Sequence, residues 1–321
     1  MQTMRAADVA PHHISDHRGS GIEFQRLLQG NPDGKGNFEW SLVHFGEDYT
    51  TPRHHHNFSQ IHYVLEGLHE WSPAVEMPEG SVTYSAEGTS YGPQQGHGSL
   101  VLTLQYGEAS QGGYMSYDRL AEGSKRLSEG SRGYFDNGTW RYTDDGGAVH
   151  NQDAYEAIWE EINGCKVEYP PPRYETPITM HPDAFAWVPA PDEPGVAHKH
   201  LGTFSERRTS VGFMRYHAGT THRVHDLGAT ELQFVVSGAL QVAAGRYDAR
   251  SAFKFDPGDD VVMRAIEPAA TYVIRPGRGT AEEPISTSMP PIVMVIMIVF
   301  VPNTLTCCSI SPSAGSTMMR S

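Results

Sequence analysis

An all-β fold is what this sequence predicts: two barrels or sandwiches in tandem, joined by a partly helical linker. Three observations carry that reading. Short runs rich in β-formers recur between turn residues, and 33 Gly and 22 Pro among 321 residues are too many for a helical bundle. Strand texture fills two separate stretches, with helical spacing only between them. The phrase Tyr63-Val-Leu-Glu-Gly67 is echoed by Phe234-Val-Val-Ser-Gly238. Their separation, 238 − 67 = 171 residues, marks an internal duplication.

The elements follow in order. Residues 1–36 are polar and Gly-rich and read as a leader packing over the first barrel. Phe38-Glu-Trp-Ser-Leu-Val-His-Phe45 alternates as a strand should. Ile61–Leu65, Val82–Tyr84 and Ser99–Tyr106 are further strands, each bounded by Gly or Pro. Between 111 and 180 the texture changes. Tyr117–Ser131 and Asp153–Ile162 have helical spacing, and Tyr169-Pro-Pro-Pro-Arg173 is a stiff connector. Strands return at Val211–Tyr216, Glu231–Val236, Leu240–Ala243 and Thr271–Ile274. The expected divisions are 1–110, a linker at 111–180, a second barrel at 181–283, and a tail at 284–321. Pro284 to Met319 holds no charged residue, so it reads as a poorly specified end or as an added strand at Ile292–Val301.

Charge excludes several functions. Lys and Arg number 24 against 38 Asp and Glu, a net charge of −14. No basic stripe exists to displace counterions from nucleic acid or to dock on an anionic membrane. The apolar run Ile292–Val301 is half the ~20 residues a bilayer requires. Three cysteines form no disulfide framework, and the first residues carry no apolar signal segment, so a cytoplasmic protein is expected.

Chemistry concentrates in the histidines. His54-His-His56 precedes a strand, and neutral imidazole is a common ligand for Fe, Mn, Ni, Cu and Zn. In an extended segment His54 and His56 share a face and His55 takes the other. Gln60 and His62 have the parity of that pair. His62 would sit in the barrel as a substrate contact or proton shuttle, or as a packed core histidine. Farther on, His222, His225 and Glu231 offer two imidazoles and a carboxylate, a set suited to Fe(II). His198-Lys-His200 reads as a solvated pair.

Gly46, His54-x-His56, three residues, Gln60, six residues and Gly67 together resemble the first motif of the cupin superfamily, with Gln in place of the usual Glu. Gly88-Thr-Ser-Tyr-Gly-Pro-Gln-Gln-Gly-His97 resembles the second motif with shortened gaps. The resemblance implies two jelly-roll (double-stranded β-helix) barrels, with His54, His56, Gln60 and His97 as metal ligands. Should His97 not serve, Tyr91 or Gln94 would fill its place. In the second half Glu231 takes the acid position, but no histidine follows in the second motif, which favours a degenerate, metal-free barrel. Locally the chain is similar to gentisate-type ring-cleaving enzymes. The implied activity is a dioxygenase using a divalent metal, Fe(II) foremost, with Mn, Ni or Zn as alternatives and with Gln60 and His62 orienting substrate or oxygen. Its partners would be O2 and a small aromatic, enol or diketone substrate, and a homo-oligomer is expected by analogy. The competing readings are a non-catalytic binding or sensing cupin, and a metal-dependent isomerase or decarboxylase.

Overall fold

The computed structural model describes residues 1–13, 21–31, 37–107, 114–130, 133–205 and 207–277. The charge-free tail, with its candidate strand Ile292–Val301, lies outside these residues. Strand Phe38–Phe45 shows how side-chain alternation organises the rest. Phe38, Trp40 and Leu42 point into a large apolar cluster. Glu39, Ser41, Val43 and Phe45 point the other way and are also buried. Strands Ser59–Glu66 and Ser99–Tyr106 repeat the division. Ile61, Tyr63, Leu102 and Leu104 join the apolar cluster, while Gln60, His62, Thr103 and Gln105 face the opposite side.

These strands belong to one seven-stranded antiparallel sheet. Its order is Ile178–Met180, Val82–Ser85, Ser59–Glu66, Ser99–Tyr106, Phe38–Phe45, Ile22–Gln29 and His12–His13. A second seven-stranded sheet runs Gln2–Arg5, Ser251–Phe255, Glu231–Ser237, Ala269–Arg275, Thr209–Tyr216, Val196–Phe204 and Val188–Pro189. The two sheets pack face to face through the apolar cluster. Trp40 meets Phe234 at 6.1 Å between ring centroids, Tyr63 meets Tyr272 at 4.8 Å, and Tyr84 stacks on Phe204 at 4.4 Å. Shorter strands face each sheet from the other side, notably Leu68–Ser72 with Val75–Pro78 in the first half. A four-stranded sheet of Thr221–Val224, Val261–Ala265, Ala239–Val242 and Gly245–Asp248 does so in the second. Each half is thus a seven-stranded sheet faced by shorter strands, consistent with tandem barrels.

The glycines of the repeated phrase have one physical job. Gly67 and Gly238 end equivalent strands at φ of +78° and +72°. At Gly238 a Cβ would stand 2.1 Å from the Pro268 carbonyl oxygen, so no other residue fits.

Three features depart from the sequence reading. The leader is partly strand: Gln2–Arg5 pairs with Ser251–Phe255 in the second half's sheet. In return, Ile178–Met180 pairs with Val82–Ser85 in the first. Each large sheet thus ends on a strand supplied from elsewhere in the chain, and its other edge is only two residues long. Such short edges, one carrying Pro189, are poor templates for pairing with another chain. The linker also carries a three-stranded meander, Gly133–Asp136, Thr139–Thr143 and Val149–Asp153, whose alternation is too polar to announce itself. Its helices are Tyr117–Glu129 and Ala154–Asn163. Gly123 lets them touch, since a Cβ there would lie 2.8 Å from Ile158 and Ile162. Among the described residues no helix is long and apolar enough to cross a membrane.

The first helix is tied down by a buried carboxylate. Glu39, 1% exposed, accepts from Arg26 Nε at 2.9 Å and from the Tyr117 backbone N–H at 3.4 Å. Arg26 also bridges to Asp118 at 3.0 Å. Burial raises the Glu39 pKa, and the Arg26 charge opposes that rise. Arg26→Met should therefore destabilise the fold by about 3–5 kcal/mol, because it strands a buried charge. Urea unfolding with a midpoint equal to wild type would refute this.

Candidate metal centre and ligand cavity

The segment carrying the three histidines is held extended at both ends. His54 exchanges two backbone hydrogen bonds of 3.0 Å with Tyr91, and the His56 carbonyl accepts from Gly88 N–H at 2.8 Å. Alternation then sends His54 and His56 to the same side, 8% and 9% exposed, with ring centroids 4.9 Å apart. His55 takes the opposite face, where its ring lies 3.8 Å from that of Tyr169.

Hydrogen bonds assign the tautomers. His54 Nδ1 lies 2.8 Å from the Pro52 carbonyl oxygen, which can only accept, so the proton sits on Nδ1 and Nε2 carries the lone pair. Tyr91 donates its hydroxyl proton to Gln60 Oε1 at 2.8 Å, and that hydroxyl faces His56 Nδ1 at 3.1 Å. With its one proton committed to Gln60, the hydroxyl accepts from His56 Nδ1–H. His56 Nε2 therefore also carries a lone pair. An imidazole whose far N–H is fixed by an oxygen is oriented as metal-bound histidines are.

The rings open on a cavity of about 90 Å³ whose lining includes Gln60, His62, Tyr91, Gln94, Thr103 and Gln105. Phe45, Tyr49, Phe58, Tyr114 and Tyr155 supply aromatic walls. Both linker helices help to cover it. Asp153 caps Ala154–Asn163, its Oδ1 accepting from the Tyr155 and Glu156 N–H groups at 2.9 and 3.1 Å. The Tyr155 hydroxyl then donates to Asn57 Oδ1 at 2.7 Å, which fixes the helix over the histidines. Among the described residues no Asp, Glu, Lys or Arg lines the cavity.

To a cation this lining offers two imidazole nitrogens and the Gln60 amide oxygen, which keeps a second lone pair beside the Tyr91 bond. Among the described residues no group of three or more His, Cys, Asp or Glu is arranged to hold a metal. The donors fit a divalent ion held by two imidazoles and one amide, without a neutralising carboxylate.

His97 stands apart from this set. Its Nε2 lies 2.9 Å from Glu70 Oε2, its side chain is 36% exposed, and it is not part of the cavity lining. The reason is register. Gln94 and Gln95 pair with Thr51 and Thr50, so Gln94 faces inward. The chain then presses at Gly96 so close to Gly46 that a Cβ would lie 1.8 Å from its carbonyl oxygen. The shortened gap thus delivers Gln94 to the interior and carries His97 past it. Gln94 is itself engaged, donating to the Glu70 carbonyl at 3.2 Å.

His222, His225 and Glu231 are not brought together either. His222 Nδ1 pairs with Glu193 at 2.8 Å, and His225 pairs with Asp226 at 2.7 Å with its side chain 49% exposed. Glu231 is buried against Arg275 and accepts from Gln233 Nε2 at 2.7 Å. An apolar cluster including Val196, Val235, Phe253 and Phe255 fills this half's interior. In His198-Lys199-His200 the first histidine is half-buried and the second exposed, while Lys199 between them is buried and donates to the Pro182 carbonyl at 2.8 Å.

Sequence reasoning missed Thr103, Gln105, Tyr114 and Tyr155 as cavity residues. For Thr103 and Gln105 the missed signal was parity, polar residues alternating within a strand whose both faces are buried, whereas Tyr114 and Tyr155 come from the linker, outside the barrel strands.

A second histidine lies near His62. His69, 2% exposed, has its Nδ1 3.4 Å from Ser99 Oγ and its ring 5.7 Å from that of His62. Burial, with His97 adding, lowers its pKa to about 3. The unfolded chain would protonate His69 near the usual 6.5, so it binds more protons than the native state between these values. Stability should therefore be fully present above pH 6.5 and be lost as pH falls toward 3, by up to ~1.4 kcal/mol per unit. Urea midpoints at pH 7 and 5.5 test this. In His69→Phe the difference between them should shrink, and an equal difference in both proteins would refute it.

The comparisons with known proteins agree with this architecture. A sequence model described as the ChrR cupin-like domain matches residues 175–279. A protein from Nostoc punctiforme, provisionally assigned as a dioxygenase, superposes with a TM-score of 0.58 at 11% identity, covering 88% of this chain and 84% of that one. Streptomyces albus HEPD, solved with 2-hydroxyethylphosphonate and Fe(II), superposes at 0.53 with 12% identity, covering 87% and 76%. At these identities the likeness is one of fold. No curated protein matches the sequence. The paired sheets and the two superpositions agree on a cupin-like fold, and residues 175–279 match the ChrR cupin-like domain.

Proposed function

We propose that this chain is a metal-dependent cupin dioxygenase acting on a small aromatic, enol or diketone substrate. The observation that carries the reading is the convergence of the His54 and His56 rings, with assigned Nε2 lone pairs, on a covered cavity. His54, His56 and Gln60 would hold the ion, Fe(II) foremost, with Mn, Ni or Zn as alternatives. When bound, such an ion supplies Lewis acidity and a template for an enolate or phenolate and O2. Neutral donors leave most of its charge available to substrate. The protein's own part is orientation and water exclusion. Pro52 fixes His54, Tyr91 fixes His56 and Gln60 together, and Phe58, Leu120 and Tyr155 cover the cavity. A homo-oligomer belongs to the same proposal.

Anaerobic loading with Fe(II), followed by metal analysis and oxygen uptake with catechol-like and diketone-like substrates, tests it. Retained iron and substrate-dependent uptake are expected, and a protein that retains no metal rejects it. Turnover without oxygen would point to an isomerase or decarboxylase. One observation favours a second reading, a binding or sensing cupin: no third strong ligand joins His54 and His56 among the described residues.

A further inference from the structure

Beyond the histidine pair, the cavity holds polar atoms to which the metal centre gives no work. Neither ring nitrogen of His62 has a hydrogen-bond partner among the described residues, and the same holds for Thr103 Oγ1. Both residues are at most 5% exposed and both line the cavity. They stand directly opposite each other on adjacent strands, so their side chains share a face. Trp71 stacks on the His62 ring at 4.6 Å and 14°, which fixes the plane in which those nitrogens are presented. A buried polar atom left unpaired costs about 1–3 kcal/mol, so its partner must come from solvent or a ligand.

We propose that His62 and Thr103 form the recognition floor for the hydroxyl or carbonyl end of an uncharged, single-ring aromatic ligand. The inference rests on reading this cavity as a substrate pocket, though not on the metal. An imidazole and a hydroxyl offer donors and acceptors together, which matches a neutral oxygen group. Without metal, a carboxylate or phosphonate would be stripped of water with no Lys or Arg among the described lining residues to receive it. Size sets an upper bound: an apolar cavity of roughly 150 Å³ holds benzene, so one of about 90 Å³ has no room for a second ring, and seating one ring requires the walls to yield. The aromatic walls supply the ring contacts.

Titration calorimetry on the full chain, chelator-treated and Zn(II)-loaded, provides the test. The probes are phenol, catechol, 4-hydroxybenzyl alcohol and 4-hydroxybenzoate near neutral pH. At least one neutral probe should bind, with the benzoate at least tenfold weaker in the chelator-treated protein. Thr103→Val should weaken the neutral probe about fivefold while raising the thermal midpoint, because it removes an unpaired hydroxyl. His62→Phe should act in the same direction on affinity. A merely structural role would leave affinity unchanged in both variants, which overturns the proposal. So would binding of no neutral probe in either form, or equal binding of the benzoate. Probe discrimination without metal uptake sinks only the metal centre, and metal uptake without discrimination sinks only this floor.

Discussion

His54→Ala should lower divalent-metal affinity by at least about 100-fold, since losing even the hydrogen-bonded supports of metal ligands costs 10–100-fold. The His54–Pro52 hydrogen bond lost with it is worth about 1 kcal/mol, so circular dichroism should show the fold retained. The complementary change, Gln60→Glu, restores a carboxylate beside the same two rings and should tighten binding. Calorimetry with Co(II), together with metal analysis, reads both. Metal uptake that His54→Ala leaves untouched would remove the centre from consideration. Unaltered small-molecule affinity, with neither protein taking up metal, would favour the binding module.

Phe234→Ala should cost about 3–5 kcal/mol, as large-to-small changes do in closed cores. Phe234 is 1% exposed and packs against Trp40 across the two sheets. The loss should reach the first half as well. The apolar cluster is continuous between the sheets, and each sheet ends on a strand from elsewhere in the chain. Trp40 and Trp71 belong to the first half, so in a variant with Trp140, Trp159 and Trp187 replaced by Phe, tryptophan fluorescence reports on that half. The expected result is one urea transition, shifted equally by fluorescence and by far-ultraviolet circular dichroism. A fluorescence midpoint that stays at the wild-type value would show that the halves unfold independently.

Much of this architecture could be read from local pattern. The alternation of Phe38–Phe45 set its strand, and the Gly67 and Gly238 phrases set the duplication. Asp153 and the apolar spacing after it marked the second helix within a residue at each end. The leader's strands were less legible, because Gln2–Arg5 gains its pairing from residues about 250 positions away. His97 was misjudged for a related reason. Motif spacing counts residues, but which residue faces inward depends on the register with Thr50 and Thr51 and on the close passage of Gly96 by Gly46.

By itself, then, the sequence determined the β-rich class, the duplicated halves and the placing of His54 and His56 on one face, because a period of two is a local property of extended chain. Only the tertiary structure decided which half holds the cavity. Both halves place polar residues at equivalent strand positions, Gln60 and His62 in one and Glu231 and Gln233 in the other. In the second, apolar side chains from facing strands fill the interior. In the first, Tyr155 and Leu120 cover a space that His62 and Thr103 line without partners among the described residues. Packing is a sum over strands far apart in the chain, so no single segment could announce it.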